Sequence, residues 1–360
     1  MNNMRKSYLD NIRWVTVVIV VIYHVFYMYN GQGIAGTIGK ITNLEVQYYD
    51  VYQYIVYPWF MMLLFIVSGI SSKLYLDKHT TREFIKSRTN KLLVPSTIGL
   101  FVFQFIQGCI NASLSNAGSL QVPFIVKYLI AVLSGIGVLW YIQLLWLYSM
   151  ALVLIKKFEK DRLYNICKKT NVVVLVLMAA LTYGAGQLLN PPILVCYRFG
   201  LYFYAFMVGY FVFSHDEVIE ILKKWFFVFA PVSIVLCIAF CIRYFGLNYA
   251  DKPVFLTPLY LLFAHFACLS ILGGFARFFD HENSFTKWMS SHSFGLYVFH
   301  YLGISSVALF LARPGIIPPA TAYILSLIAG FVFGYVLYEI ISRIPFFRWA
   351  VLGITQKRKA

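Results

Sequence analysis

Charge is what this sequence has least of. Asp, Glu, Lys and Arg supply 12% of its 360 residues, whereas hydrophobic residues supply 60% and aromatic residues 19%. A soluble chain carries about twice that share of charge, so an ordinary water-soluble domain is excluded. Metal-ligand spacing is also missing: Cys109, Cys167, Cys196, Cys237, Cys241 and Cys268 follow neither a metal nor a disulfide pattern. They read as small packing residues, and no metal is expected. Internal repeats, low-complexity tracts and long polar linkers are absent, which points to one membrane domain over residues 1–360. The first apolar run has no small-residue cleavage site and continues into Phe26, Tyr27 and Tyr29, so it is expected to stay as a helix.

Long apolar runs are what the chain has instead. A helix needs about 20 apolar residues to cross the hydrocarbon core. Ten stretches offer them, near 9–29, 50–72, 92–111, 136–155, 171–189, 196–213, 225–245, 254–275, 293–312 and 320–342. The fold expected is an all-α polytopic bundle of about ten transmembrane helices. The formal charge of +16 raises nucleic acid as a partner, but its placement argues against that: with these spans drawn, only Lys40, Lys127, Arg198, Arg243, Lys252 and Arg313 fall on one side, and the other 24 of 30 fall on the opposite side. This is the positive-inside pattern of a multi-pass protein with both termini in the cytoplasm and membrane lipids as neighbours.

The stretch LDNIRWVTVVIVVIYH puts two polar groups into the first span. Arg13 and His24 are 11 residues apart, which is three helical turns plus about 20° and about 16 Å along the axis. They share one face. Such groups are costly in a span unless they face a wet, protein-lined interior. Two readings stand: a functional pair, or an arginine marking the inner end of the span with a satisfied core histidine above it.

Further along, the loop from Tyr29 to Tyr49 holds Gly31, Gly33, Gly36 and Gly39 and is expected to be irregular. Pro58 should break or kink the second span. In the basic loop that follows, Arg88 and Lys91 lie three residues apart just before Pro95, placed either to meet lipid headgroups or to hold a phosphate. Gln104 and Gln107 suit hydrogen bonds between helices. The segment from Val122 to Leu133, with Pro123 and Lys127, is too short to cross and is expected to be interfacial or re-entrant. Gly137, Leu139, Trp140 and Tyr141 open the fourth span, where aromatics commonly anchor at the interface. Asn190, Pro191 and Pro192 break the chain before Arg198, which either snorkels or binds an anionic acceptor or a substrate carbonyl on the outer side. His265 reads as a hydrogen-bonded core residue. Ser293, Tyr297 and His300 share a helix face. Glu339 and Arg343 have the spacing of an ion pair near the inner surface.

A histidine deep in such a bundle suits general-base work, because one ring nitrogen can take a proton while the other is held. If His24 lies deep in the bundle, where a donor from one side and an acceptor from the other can meet, it can deprotonate a hydroxyl attacking a thioester, a role that spacing alone does not establish. In that case Arg13, three turns along the same helix, would hold the carbonyl or the phosphate-bearing end of an anionic donor such as a coenzyme A ester.

Taken together, these stretches resemble the acyltransferase 3 family of bacterial membrane acyltransferases almost end to end. A basic residue, ten others and a histidine stand here as RWVTVVIVVIYH, with Arg13 and His24; the aromatic-rich helix ending in Ser-Gly stands as FMMLLFIVSG, with Ser68 and Gly69. SRTNKLLVP gives Arg88, Lys91 and Pro95, and the Leu-Trp-aromatic element is Leu139, Trp140 and Tyr141. Phe206 with Gly209, then Ser293, Tyr297 and His300, then Glu339, Pro345 and Arg348 complete the order. Lys91 stands where many relatives have arginine, which keeps the charge and loses bidentate phosphate binding.

The resemblance implies transfer of an acyl group, usually acetyl, from cytoplasmic acyl-CoA to a hydroxyl on a carbohydrate or lipid-linked glycan of the cell envelope. It implies that Arg13 and His24 are essential, and that Arg88, Lys91, Trp140, Tyr297, His300 and Glu339 bind the donor or line its path. The implied location is the bacterial cytoplasmic membrane. The opening YLDNIRW is similar to relatives acting on periplasmic glucans. Longer members carry an appended extracytoplasmic hydrolase-like domain that is not seen here, which implies action alone or with a separate partner protein. The competing class is a transporter whose buried polar residues line a solute or glycan path. A sensor on an inactive acyltransferase scaffold is a third reading.

Overall fold

The computed structural model describes residues 6–32, 34, 36–115, 122–191 and 196–355. Gly33 and Pro192, together with both chain ends, lie outside the described residues. Helices dominate, and no strand occurs among the described residues.

In chain order, α1 runs Ser7–Met28 and α2 Val51–Val56; α3 runs Phe60–Leu76 and α4 Thr81–Arg88. A widened π turn (Thr89–Leu93), α5 (Val94–Gly99), a second π turn (Leu100–Gln104) and α6 (Phe105–Leu114) follow α4 without a break in the helical ladder. Then come α7 (Phe124–Ser134), α8 (Trp140–Glu159), α9 (Arg162–Cys167), α10 (Val172–Gly186), α11 (Phe199–Phe211) and α12 (Asp216–Tyr244). Last are α13 (Lys252–Phe255), α14 (Pro258–Phe278), α15 (Ser284–Val307) with a π turn at Ala308–Ala312, α16 (Pro319–Arg343) and α17 (Pro345–Leu352).

Among the described residues, eight helical segments are long and apolar enough to cross a membrane, and they cover eight of the ten expected spans. The other two, expected near 171–189 and 196–213, are α10 and α11, helices of 15 and 13 residues. Their ends are set by turn-forming residues, Asn171 capping the N-terminus of α10 and Asn190 with Pro191 preceding α11. The protein is an all-α polytopic membrane protein. Pro58 acts as expected: α2 stops at Val56 and α3 starts at Phe60, because proline has no N–H to give to the preceding turn. Thr80 and Glu83 form a capping box that starts α4, with the Thr80 N–H donating to Glu83 Oε2 at 2.8 Å. The segment after Val122 forms the 11-residue α7, too short to cross alone.

The described residues group into two compact units, neither of them contiguous in sequence. The first draws on residues 6–16, 51–84 and 147–290. Within it α3 lies directly on α11. A methyl group on Gly69 would overlap the Phe206 carbonyl oxygen, and one on Gly209 would overlap the Ile66 carbonyl oxygen. Two backbones this close leave no room for a side chain, the arrangement small residues provide between membrane helices. Gly69→Val is therefore expected to abolish recovery of folded, monodisperse protein in detergent, and an unchanged elution profile and melting temperature would refute this contact.

The second unit draws on residues 17–50, 85–146 and 291–355. Its frame is the C-terminal part of α1 with α15 and α16. A methyl group on Gly303 of α15 would overlap the Ala329 carbonyl oxygen, and one on Gly330 of α16 would come within 3.2 Å of the Val21 and Ile304 side chains. The loop after α1 is irregular, as expected, and is tied by Asp50, which accepts from the Gly31 N–H at 3.0 Å and from Gln47 Nε2 at 3.1 Å. Gln107 donates to Ser305 Oγ at 2.9 Å, an interhelical bond of the kind its spacing suggests.

Candidate active site

The first span is one unbroken helix, because nothing between Ser7 and Met28 interrupts its hydrogen-bond ladder. It therefore carries Arg13 and His24 about 16 Å apart along the axis.

Arg13 belongs to the first unit, where its guanidinium is a fork with two partners. Nη1 donates to Asp10 Oδ1 at 2.6 Å, and Nη2 donates to Ser71 Oγ. Ser71 in turn donates to the Val67 carbonyl at 2.7 Å. Asp10 is three residues before Arg13, so this partner was readable from helical spacing. Ser71, on α3, was not. The arginine side chain remains 37% exposed, leaving part of its charge open to a ligand.

His24 belongs to the second unit. Its Nδ1 lies 2.9 Å from the Val20 carbonyl oxygen and 3.0 Å from Nε2 of His300, and His300 is fully buried. Behind it, His300 Nδ1 lies 2.9 Å from the carbonyl oxygens of both Leu296 and Tyr297. Three tyrosines surround the His24 ring: Tyr301 at 5.1 Å, Tyr23 at 5.2 Å and Tyr27 at 5.9 Å between centroids. Nε2 of His24 has no hydrogen-bond partner among the described residues. The contrast with His265 is direct. There Nδ1 meets Thr182 Oγ1 and Nε2 meets the Leu175 carbonyl, both at 2.9 Å. With both nitrogens taken, His265 is the core histidine its sequence context suggests.

The remaining candidates are distributed. Tyr297 is buried and its hydroxyl donates to the Val138 carbonyl, while its ring meets Tyr141 at 6.0 Å. Trp140 packs edge-on against Tyr141. The Leu139, Trp140 and Tyr141 element is thus joined to α15. Arg88 ends α4, and Lys91 stands exposed in the π turn that follows. Glu339 forms the expected pair with Arg343 at 3.2 Å and also meets His292 Nε2 at 3.2 Å. His292, eight residues before His300, is about 12 Å from it along α15. Glu339 is thus placed with His292 rather than with the His24 and His300 pair. His292 carried no separate sequence signal, since its carboxylate partner lies 47 residues away.

Arg198, in the first unit, does not snorkel. It is 2% exposed, donating to Tyr260 Oη at 2.5 Å and Tyr57 Oη at 3.1 Å, with its guanidinium carbon 4.0 Å from the centre of the Phe255 ring. Aromatic faces stabilise a desolvated cation in such a setting.

No group of three or more His, Cys, Asp or Glu suited to a metal ion occurs among the described residues. In comparisons with known proteins, a family model described as an acyltransferase domain matches residues 6–339. No curated protein and no solved structure matches the chain.

Proposed function

The chain belongs to the acyltransferase 3 family, and from that membership we propose that it moves an acyl group, acetyl first among them, from cytoplasmic acyl-CoA to a hydroxyl of a cell-surface or periplasmic glycan or lipid-linked sugar. By family and by its apolar helices it is a multi-pass membrane acyltransferase. The donor, the acceptor, the residue roles and the bacterial cytoplasmic membrane as its location are our reading.

In that reading His24 takes the proton of the acceptor hydroxyl as the oxygen attacks the thioester carbonyl. The carbon–sulfur bond breaks, and the departing coenzyme A thiolate receives the proton from His24. Arg13 binds the carbonyl or the phosphate-bearing end of the donor, and Arg88 and Lys91 add charge for its phosphates. Trp140, Tyr297 and Glu339 support the donor path, and Arg198 the acceptor side. No metal takes part in these steps.

One observation carries the assignment. His24 is an intramembrane imidazole whose Nε2 has no partner among the described residues, whereas His265 spends both nitrogens on the fold. A base must keep a lone pair within reach of the proton it takes.

The test uses membrane vesicles and acetyl-CoA labelled in the acetyl group, with mass spectrometry of envelope glycans from cells with and without the protein. Label in glycan that depends on the protein is the expected result. Passage of glycan or solute across the vesicle membrane without acylation would instead favour the transporter.

A further inference from the structure

His300 faces His24, and the protons of the pair can be placed by hydrogen-bond chemistry. His300 Nδ1 is opposed by two carbonyl oxygens, Leu296 and Tyr297, both at 2.9 Å. Carbonyl oxygens only accept, so Nδ1 must carry a proton. In a neutral ring the proton on Nδ1 leaves Nε2 as an acceptor, and that nitrogen lies 3.0 Å from His24 Nδ1. His24 Nδ1 also faces the Val20 carbonyl at 2.9 Å. With acceptors on both sides, His24 Nδ1 carries the proton and His24 Nε2 is left as the lone pair.

We propose that His300 is a positioning residue for His24: its Nε2 accepts the His24 Nδ1 proton, fixes the tautomer that leaves His24 Nε2 basic, and stabilises the imidazolium formed when that nitrogen takes a proton. This rests on the reading of His24 as the base. A carboxylate does the same work in hydrolase triads, but an unpaired carboxylate within a span is costly. A neutral imidazole, its own tautomer fixed by backbone carbonyls, supplies the acceptor without a buried charge. The titratable side chains facing the pair are Tyr23 and Tyr27 from α1 and Tyr301 from α15. No Lys, Arg, Asp or Glu side chain forms a hydrogen bond or ion pair with either ring among the described residues.

The experiment is 15N NMR of histidine-labelled protein in nanodiscs, with the His24 signals assigned by their loss in His24→Gln. In the unmodified protein His24 is expected as the Nδ1–H tautomer, and the Nε2–H tautomer overturns the proposal without any further variant. On acid titration, His300→Leu is expected to lower the pKa of His24 by about one unit, because a hydrogen bond to the charged form is lost. His300→Gln, whose amide oxygen can take the place of the ring nitrogen, is expected to hold the pKa near its original value. An unchanged pKa in His300→Leu, or an equal drop in both variants, overturns the proposal. Transfer from acetyl-CoA should fall about ten- to a hundredfold in His300→Leu and recover in His300→Gln. If no variant and no unmodified protein transfers acetyl groups, the acyltransferase reading of His24 fails while the NMR result still decides the pairing.

Discussion

His24→Gln is expected to lower acyl transfer by about 10²–10⁴-fold, the range by which a positioned general base accelerates proton transfer. Glutamine fills similar space and can satisfy the Val20 carbonyl, so the helix should insert normally. What it lacks is a nitrogen that accepts a proton near neutral pH. The loss should fall on kcat, because the base acts when the hydroxyl attacks and not when the donor binds. In the unmodified protein, activity should decline as pH falls through the His24 pKa, since only the neutral imidazole takes a proton. The measurement is transfer of labelled acetyl from acetyl-CoA in vesicles matched for inserted protein. Full activity in the glutamine variant would remove His24 from the mechanism.

Arg13→Ala should reduce kcat/KM for acyl-CoA by about 10²–10³-fold, the loss typical of removing one fixed donor to developing charge. The variant should still fold. The ion pair with Asp10 involves an arginine 37% exposed, and such pairs contribute little to stability. Arg13→Lys is the sharper test. The guanidinium reaches Asp10 and Ser71 from two nitrogens, a fork that one ammonium group cannot reproduce. Lysine should therefore recover only a minor part of the loss in kcat/KM. If lysine restores full activity, Arg13 contributes charge alone and the fork is incidental.

These two experiments bear on the residues most legible in the sequence. A basic residue and a histidine eleven apart on an apolar helix stand out because helical period and the cost of intramembrane polarity are local properties. Pro58, the Glu339 and Arg343 pair and the short α7 were readable for the same reason. Gly69 and Gly209 appeared as separate motif positions, and folding shows them to be two sides of one backbone contact. Arg198 allowed two sequence readings, and the structure encloses it among Tyr57, Phe255 and Tyr260.

The sequence by itself determined the class of protein, most of its membrane-crossing helices and the placement of Arg13 and His24 on one helix face, since hydropathy and a 3.6-residue repeat act over neighbouring residues. Only the tertiary structure decided which histidine is spent on the fold and which keeps a nitrogen open. That distinction depends on partners such as His300, 276 residues from His24. A hydrogen bond across helices depends on lateral packing, and one-dimensional periodicity carries no record of it.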